Sequence, residues 1–82
     1  MQNKRLGVIG IVIEDRQAIS MVNETLSRYA EIIIGRMGLP YREKEVSVIS
    51  LIVDGSTDEI GALTGKLGNL SGVTVKSALA KG

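Results

Sequence analysis

The sequence predicts an α+β sandwich in which two helices cover one face of a four-stranded antiparallel sheet. Two observations predict it. An apolar strand leads through a polar turn into an amphipathic helix and then into a second apolar strand, and this unit occurs twice in 82 residues. The resulting order β-α-β-β-α-β is that of the ferredoxin-like fold. We therefore expect one domain over residues 1–82.

The first unit begins with a strand at 6–13, which is rich in Val and Ile. Gly7 and Gly10 interrupt this strand and predict a β-bulge, with a close backbone approach as the alternative. Asp15 is placed to cap the helix that follows. The helix carries an apolar stripe at spacings of three and four, which we expect to face the sheet: Ile19, Val22, Leu26 and Tyr29.

A short β-branched strand at 32–37 completes the first unit, and Gly38 with Pro40 predicts its end. The charged segment 41–45 then connects the two units. Its composition favours a solvated loop.

The second unit begins with a strand at 46–53. Ser56 and Glu59 have the spacing of a capping box at the start of the second helix. The helix carries its own apolar stripe at Ile60, Leu63, Leu67 and Leu70, and a strand at 73–80 follows. Glycines 61, 65 and 68 lie nearly opposite that stripe, which indicates either close approach by a neighbouring group or a helix that tertiary packing holds.

The central strands are apolar on both faces, which is not the pattern of a sheet with one face in water. A bare Val- and Ile-rich face is typical of an interface. The chain is short and has no cysteine for disulfides, so oligomerisation is the remaining support for a small core. We expect a homo-oligomer, a dimer or a tetramer, whose interface includes Val46, Val48 and Ile52.

Composition excludes several partners. Ten Lys and Arg against nine Asp and Glu are interspersed along the chain, without the basic stripe that nucleic-acid binding requires. No segment approaches the roughly 20 apolar residues of a membrane span. The apolar run after Arg5 ends in Glu14, Asp15 and Arg16 instead of a small-residue cleavage site, which argues against a signal peptide. We expect a cytoplasmic protein that does not bind nucleic acid directly.

Composition also argues against catalysis. Without Cys or His, the chain lacks the ligands of iron-sulfur clusters and the usual base for a nucleophile, so no cofactor is expected. RNA-stacking aromatics are absent apart from Tyr29 and Tyr41. Arg16 keeps an acylphosphatase-like activity open, but Glu14 and Asp15 would repel a phosphate there. We expect no enzyme activity.

Three segments carry a resemblance to a known family. They are Arg5 to Asp15, Ile34 to Glu43 with its Ile-Gly-Arg-Met-Gly run, and Ile60 to Gly68. They closely resemble the regulators assigned to the iron-only hydrogenase system. That family resembles the ACT-type regulatory domains and the sensing domain of the nickel-responsive regulators, and Leu70 to Val75 resembles the ACT pattern before the last strand.

The resemblance implies a small effector bound at subunit interfaces by the turn after the first strand and by the second strand. Here those positions give the candidates Glu14, Asp15, Arg16, Gly35, Arg36, Gly38 and Arg42. Asp15 would accept hydrogen bonds from an amine, and Arg36 would pair with a carboxylate. An exposed strand charge that discourages edge pairing is the other interpretation of Arg36. The nickel site does not carry over, because its histidine and cysteine ligands are absent.

The sequence therefore favours a stand-alone ACT-like regulatory module that senses a small effector in the iron-only hydrogenase system. A protein partner would receive the signal. The alternative is a structural or adaptor oligomer that binds a protein partner without any small molecule.

Overall fold

A computed structural model describes residues 3–81 and shows the predicted ferredoxin-like fold. Residues 1–2 and 82, the outer ends of the predicted domain, lie outside the described residues. Six main elements follow one another along the chain: β1 (Lys4–Ile13), α1 (Ile19–Arg28), β2 (Ile33–Tyr41), β3 (Val46–Ser56), α2 (Thr57–Gly68) and β4 (Val73–Leu79).

The four strands form one antiparallel sheet in the order β2-β3-β1-β4, so β1 and β3 are central. Ile9 of β1 lies opposite Leu51 of β3, and both are fully buried beneath the helices. Alternate residues of each central strand face the helices and form the core with the stripes of α1 and α2. The core side chains are Ile9, Ile11, Ile13, Ala18, Val22, Leu26, Ile32, Ile49, Leu51, Val53, Ile60, Leu63 and Leu67.

Both predicted helix-start signals are confirmed. The Asp15 carboxylate accepts a hydrogen bond of 2.9 Å from the Gln17 backbone N–H, at the short 3-10 helix Arg16–Ala18 that leads into α1. Ser56 and Glu59 form a complete capping box at α2, with hydrogen bonds of 2.9 and 3.1 Å. The Ser56 backbone N–H, which donates to the Glu59 carboxylate, lowers the pKa of that carboxyl.

The predicted end of the second strand was wrong. β2 continues through Gly38 and Pro40 to Tyr41, and the remaining connection is the 3-10 turn Arg42–Lys44. β2 is an edge strand, and an edge position tolerates proline because the N–H it lacks can be one that faces away from the sheet.

The bulge prediction for β1 was also wrong. The register of β1 with β3 is unbroken from Lys4 to Ile13, and the bulge instead lies in β2 between Ile33 and Gly35. Gly7 fits the alternative of a close backbone approach, because a Cβ atom there would lie 3.0 Å from the backbone oxygen of Ala78 in β4.

The helix-free side of the sheet carries exposed apolar side chains on three strands. We call this surface the open face. Its most exposed members are Met37, Leu39, Leu6, Val8 and Ile52. Val48, in the same surface, is half-buried. The structure therefore places large apolar groups where the sequence indicated a second buried face.

The glycine stripe of α2 lies in the open. A Cβ atom on Gly61, Gly65 or Gly68 would meet no described atom of the chain outside its own helix within 4 Å. Close packing within the described chain therefore does not explain these glycines.

Neither α1 nor α2 is long and apolar enough to cross a membrane.

Candidate functional site

A cavity lies at the end of the sheet where β1 stops and β3 starts, which we call the upper end. Its volume is about 440 Å³. We call it the upper cavity and define it by its lining residues: Ile13, Arg16, Ile19, Pro40, Tyr41, Arg42, Glu45, Val46 and Ser47.

Three chain segments build the upper cavity. Ile13 ends β1, and the turn held by the Asp15 cap carries Arg16 to the cavity before α1 begins at Ile19. Across the cavity, Tyr41 pairs with Val46 in the β2–β3 hairpin. The 3-10 turn of that hairpin supplies Arg42. Residues of the β1–α1 turn and of the β2–β3 hairpin thus meet at one concave surface.

The hairpin contains an uncommon backbone conformation. Glu45 has φ 56° and ψ 38°, the left-handed region that side chains other than glycine rarely adopt. It is the only residue other than glycine with positive φ among residues 3–81. This conformation lies at the wall of the upper cavity.

Two of the predicted effector residues, Arg16 and Arg42, line the upper cavity together. Glu14 and Asp15 lie at the same end of the sheet but do not line it. The Glu14 backbone N–H donates a 2.7 Å hydrogen bond to the Gly72 carbonyl, and the Asp15 carboxylate accepts from Gln17. These two hydrogen bonds therefore stabilise the turn that carries Arg16.

The other predicted residues lie along the middle of β2. Arg36 donates a hydrogen bond to the Asn23 side chain of α1 and lines a second, smaller cavity of about 250 Å³ with Leu26, Ser27, Ala30 and Ile33. Gly35 lies against Ile52, and a Cβ atom on Gly38 would meet nothing within 4 Å. The structure does not bring Arg36 together with Arg16 at one site.

Sequence reasoning missed most of the cavity wall. Pro40, Tyr41 and Glu45 were assigned to a strand end and a solvated loop, and Val46 only to an interface. Tyr41 carried no distinguishing signal, because the other aromatic residue of the chain, Tyr29, also lies beside an arginine. Ile13, Ile19 and Ser47 carry no signal beyond the fold pattern.

The upper cavity combines two arginines with four aliphatic residues and one aromatic residue. Arg16 and Arg42 contribute two positive charges and Glu45 one negative charge. Guanidinium groups bind carboxylate and phosphate oxygens with paired hydrogen bonds. Within residues 3–81, no group of three His, Cys, Asp or Glu side chains is arranged to hold a metal ion. The arrangement suits a small organic ligand.

The sequence matches a family model described as TM1266-like, the inferred regulators of the iron-only hydrogenase system, over residues 5–77. A search of curated proteins gave no match.

Solved structures with this fold include a close relative. The uncharacterized protein TM1266 from Thermotoga maritima is 41% identical, with a TM-score of 0.92 over 96% of this chain and 100% of that one. The C-terminal domain of the MgtC protein from Mycobacterium tuberculosis is 11% identical, with a TM-score of 0.73 over 93% and 87% of the two chains. The PII-like nitrogen regulatory protein CPII from Thiomonas intermedia K12, bound to ADP, AMP and bicarbonate, is 16% identical, with a TM-score of 0.52 over 96% and 94%. The last two show the fold alone.

Proposed function

The chain belongs to the TM1266-like family of inferred hydrogenase-system regulators, and from that membership we propose that it is an ACT-like sensing module. In this proposal a small effector binds in the upper cavity. The occupied module then acts on a protein partner in the iron-only hydrogenase system.

The observation that carries this proposal is the upper cavity itself. Its volume of about 440 Å³ lies within the range of roughly 300–1,000 Å³ typical of ligand pockets. It combines an apolar wall with a few charged groups, which is the usual composition of such a pocket. A purely structural module would need no concave site with two arginines.

The comparison with CPII gives secondary support. That nitrogen regulatory protein binds ADP, AMP and bicarbonate on a similar arrangement of strands and helices. Small-molecule sensing is therefore compatible with a chain of this size and topology. Fold likeness does not transfer the ligand, because one fold carries many functions.

Self-association is the second part of the proposal. The open face exposes Met37 to 71%, Leu39 to 56% and Ile52 to 46%. A contiguous surface of this kind is typical of an interface. We propose that the open face packs against another copy of the chain and forms a dimer or a tetramer in the cytoplasm. Such an assembly would also compensate for the small core.

An adaptor without an effector is the alternative, and the same open face supports it. In that case the apolar surface would bind the protein partner and the upper cavity would stay empty. Catalysis forms no part of either function. Turnover of an acyl phosphate that is lost in Arg16→Ala would contradict both.

Native mass spectrometry of the freshly purified protein tests sensing against the adaptor role. An oligomer that carries stoichiometric extra mass supports sensing. The extra mass should be lost in Ser47→Leu, which fills the upper cavity, and kept in Ser20→Leu, an exposed position on α1. A clean oligomer that no small molecule stabilises against heat supports the adaptor.

A further inference from the structure

We infer that the upper cavity takes a small organic anion, a carboxylate or a phosphate ester, with its charged group held by Arg16 and Arg42. The apolar body of the ligand lies against the aliphatic wall. This inference rests on the proposed sensory function and names the chemical class of the effector.

The side chains of Arg16 and Arg42 are free to bind a ligand. Within residues 3–81, the one salt bridge joins Arg28 to Glu24 at 2.9 Å, and Arg36 donates to Asn23. Neither Arg16 nor Arg42 has a side-chain partner among the described residues. Both guanidinium groups therefore keep all their donors available for a ligand.

The lining of the upper cavity has a net positive charge. The Asp15 carboxylate keeps its negative charge, but it accepts from the Gln17 N–H and does not line the cavity. Glu43 lies beside Tyr41, 3.4 Å from its hydroxyl, and does not line the cavity. Glu45 is the one carboxylate in the lining, so the wall carries two positive charges against one negative charge. This balance favours an anion over a neutral or cationic ligand.

The rest of the wall offers apolar surface. Ile19, Pro40 and Val46 present aliphatic surface and Tyr41 adds an aromatic ring, whereas Ile13 is buried. An inorganic ion would leave this surface in contact with water. A ligand with an apolar body removes it from water, at roughly 25 cal/mol per Å² buried. The wall thus selects organic anions over inorganic phosphate.

The left-handed backbone of Glu45 supports the assignment of the upper cavity as a ligand-binding site. Left-handed conformations in residues other than glycine persist when the surrounding structure holds them, and they cluster at ligand sites. The turn that imposes this conformation also carries Arg42.

Isothermal titration calorimetry with four phenyl probes tests the inference: phenylacetate, phenyl phosphate, phenylacetamide and phenethylamine. The four probes share a ring and differ in the charge of the head group. At least one of the two anions should bind tenfold or more tightly than the amide, since charge-assisted hydrogen bonds are about twice as strong as neutral ones. The better anion identifies the head group as carboxylate or phosphate.

Variants locate the binding. Arg16→Gln and Arg42→Gln should each weaken the better anion by about tenfold or more, as expected for a lost hydrogen bond to a charged group. Arg28→Gln is the matched control, because Arg28 pairs with Glu24 on an exposed face of α1 and should leave the affinity unchanged. Circular dichroism melts confirm that each variant is folded.

The opposite results are distinguishable. Equal or tighter binding of the amide or the amine would overturn the anion inference and leave the sensory function standing. Anion binding that survives both arginine substitutions would overturn the assignment to this cavity. Failure of all four probes, together with a purified protein free of extra mass, would overturn the inference and the sensory function together.

Discussion

Gly72 and Asp15 lie in such close contact that a Cβ atom on Gly72 would fall 2.5 Å from the Cβ atom of Asp15. Gly72 also has φ +77°, and its carbonyl accepts the 2.7 Å hydrogen bond from the Glu14 N–H. The turn before β4 therefore supports the turn that carries Arg16 to the upper cavity.

Gly72→Ala should destabilise the protein by about 2 kcal/mol or more. The left-handed conformation alone costs a residue with a Cβ atom roughly 1–2 kcal/mol, and the contact with Asp15 adds to that cost. Urea unfolding followed by circular dichroism measures the loss. Gly65→Ala is the matched control, because it replaces an open glycine within α2 and should stabilise by about 0.5–1 kcal/mol. An unchanged midpoint in Gly72→Ala would show that the two turns do not depend on this contact.

Glu45→Gly should stabilise the free protein by up to about 1 kcal/mol, because glycine adopts the left-handed conformation without the penalty that a side chain incurs. Urea unfolding again gives the value. Glu43→Gly lies in the same turn without a positive φ and should instead cost up to about 1 kcal/mol. A loss of stability in both variants would mean that the Glu45 side chain stabilises the turn more than its conformation strains it.

The Ser56–Glu59 capping box makes the free energy of unfolding depend on pH. Because folding lowers the Glu59 pKa, its contribution is fully present above the ordinary value of 4.5 and is lost as the pH falls through the lower, folded-state pKa. Glu59→Gln removes this titration, so the stability difference between wild type and variant should shrink below pH 4.5. Urea midpoints between pH 3 and 7 measure it, with the exposed Glu31→Gln as control. A difference that stays constant across this range would exclude Glu59 as its source.

Ile52→Lys should break the proposed assembly, because the packing of a second copy would bury a charge in the centre of the open face. Val48→Lys should do the same. Sedimentation velocity reports the subunit number. Met21→Lys is the matched control, since Met21 on α1 is exposed to 54%, similar to the 46% of Ile52, but lies on the helical side. If both open-face variants keep the subunit number of the wild type, another surface forms the interface.

The fold could be predicted from the sequence because the spacing of apolar residues indicates which side chains become buried. The apolar Val- and Ile-rich runs of β1 and β3, the three- and four-residue stripes of the helices, and the capping signals at Asp15 and Ser56 are all local patterns that a single sequence displays. The end of β2 could not be predicted, because glycine and proline stop a central strand but are tolerated at an edge, and edge position is a property of the whole sheet.

The candidate site was predictable only in part. Arg16 and Arg42 were individually recognisable as charged turn residues. They line the same cavity because the β2–β3 hairpin lies beside the β1–α1 turn. No local sequence pattern shows that these two segments are close in space. Arg36 was displaced from the predicted group because β2 places it beneath α1, against Asn23.

The bulge in β2 determines which side chains of this edge strand face each side of the sheet. Beyond it, Met37 lies opposite Ser50 and Leu39 opposite Val48, whereas Arg36 lies opposite buried Leu51. With one residue fewer at Ile34, every later side chain would change sides, because strand neighbours alternate. Arg36 would point away from α1, and Met37 and Leu39 would turn towards the core. The single inserted residue therefore sets the side of the sheet that each later β2 side chain faces. It directs Met37 and Leu39 to the open face and the exposed Arg36 to the helical side, beside Asn23.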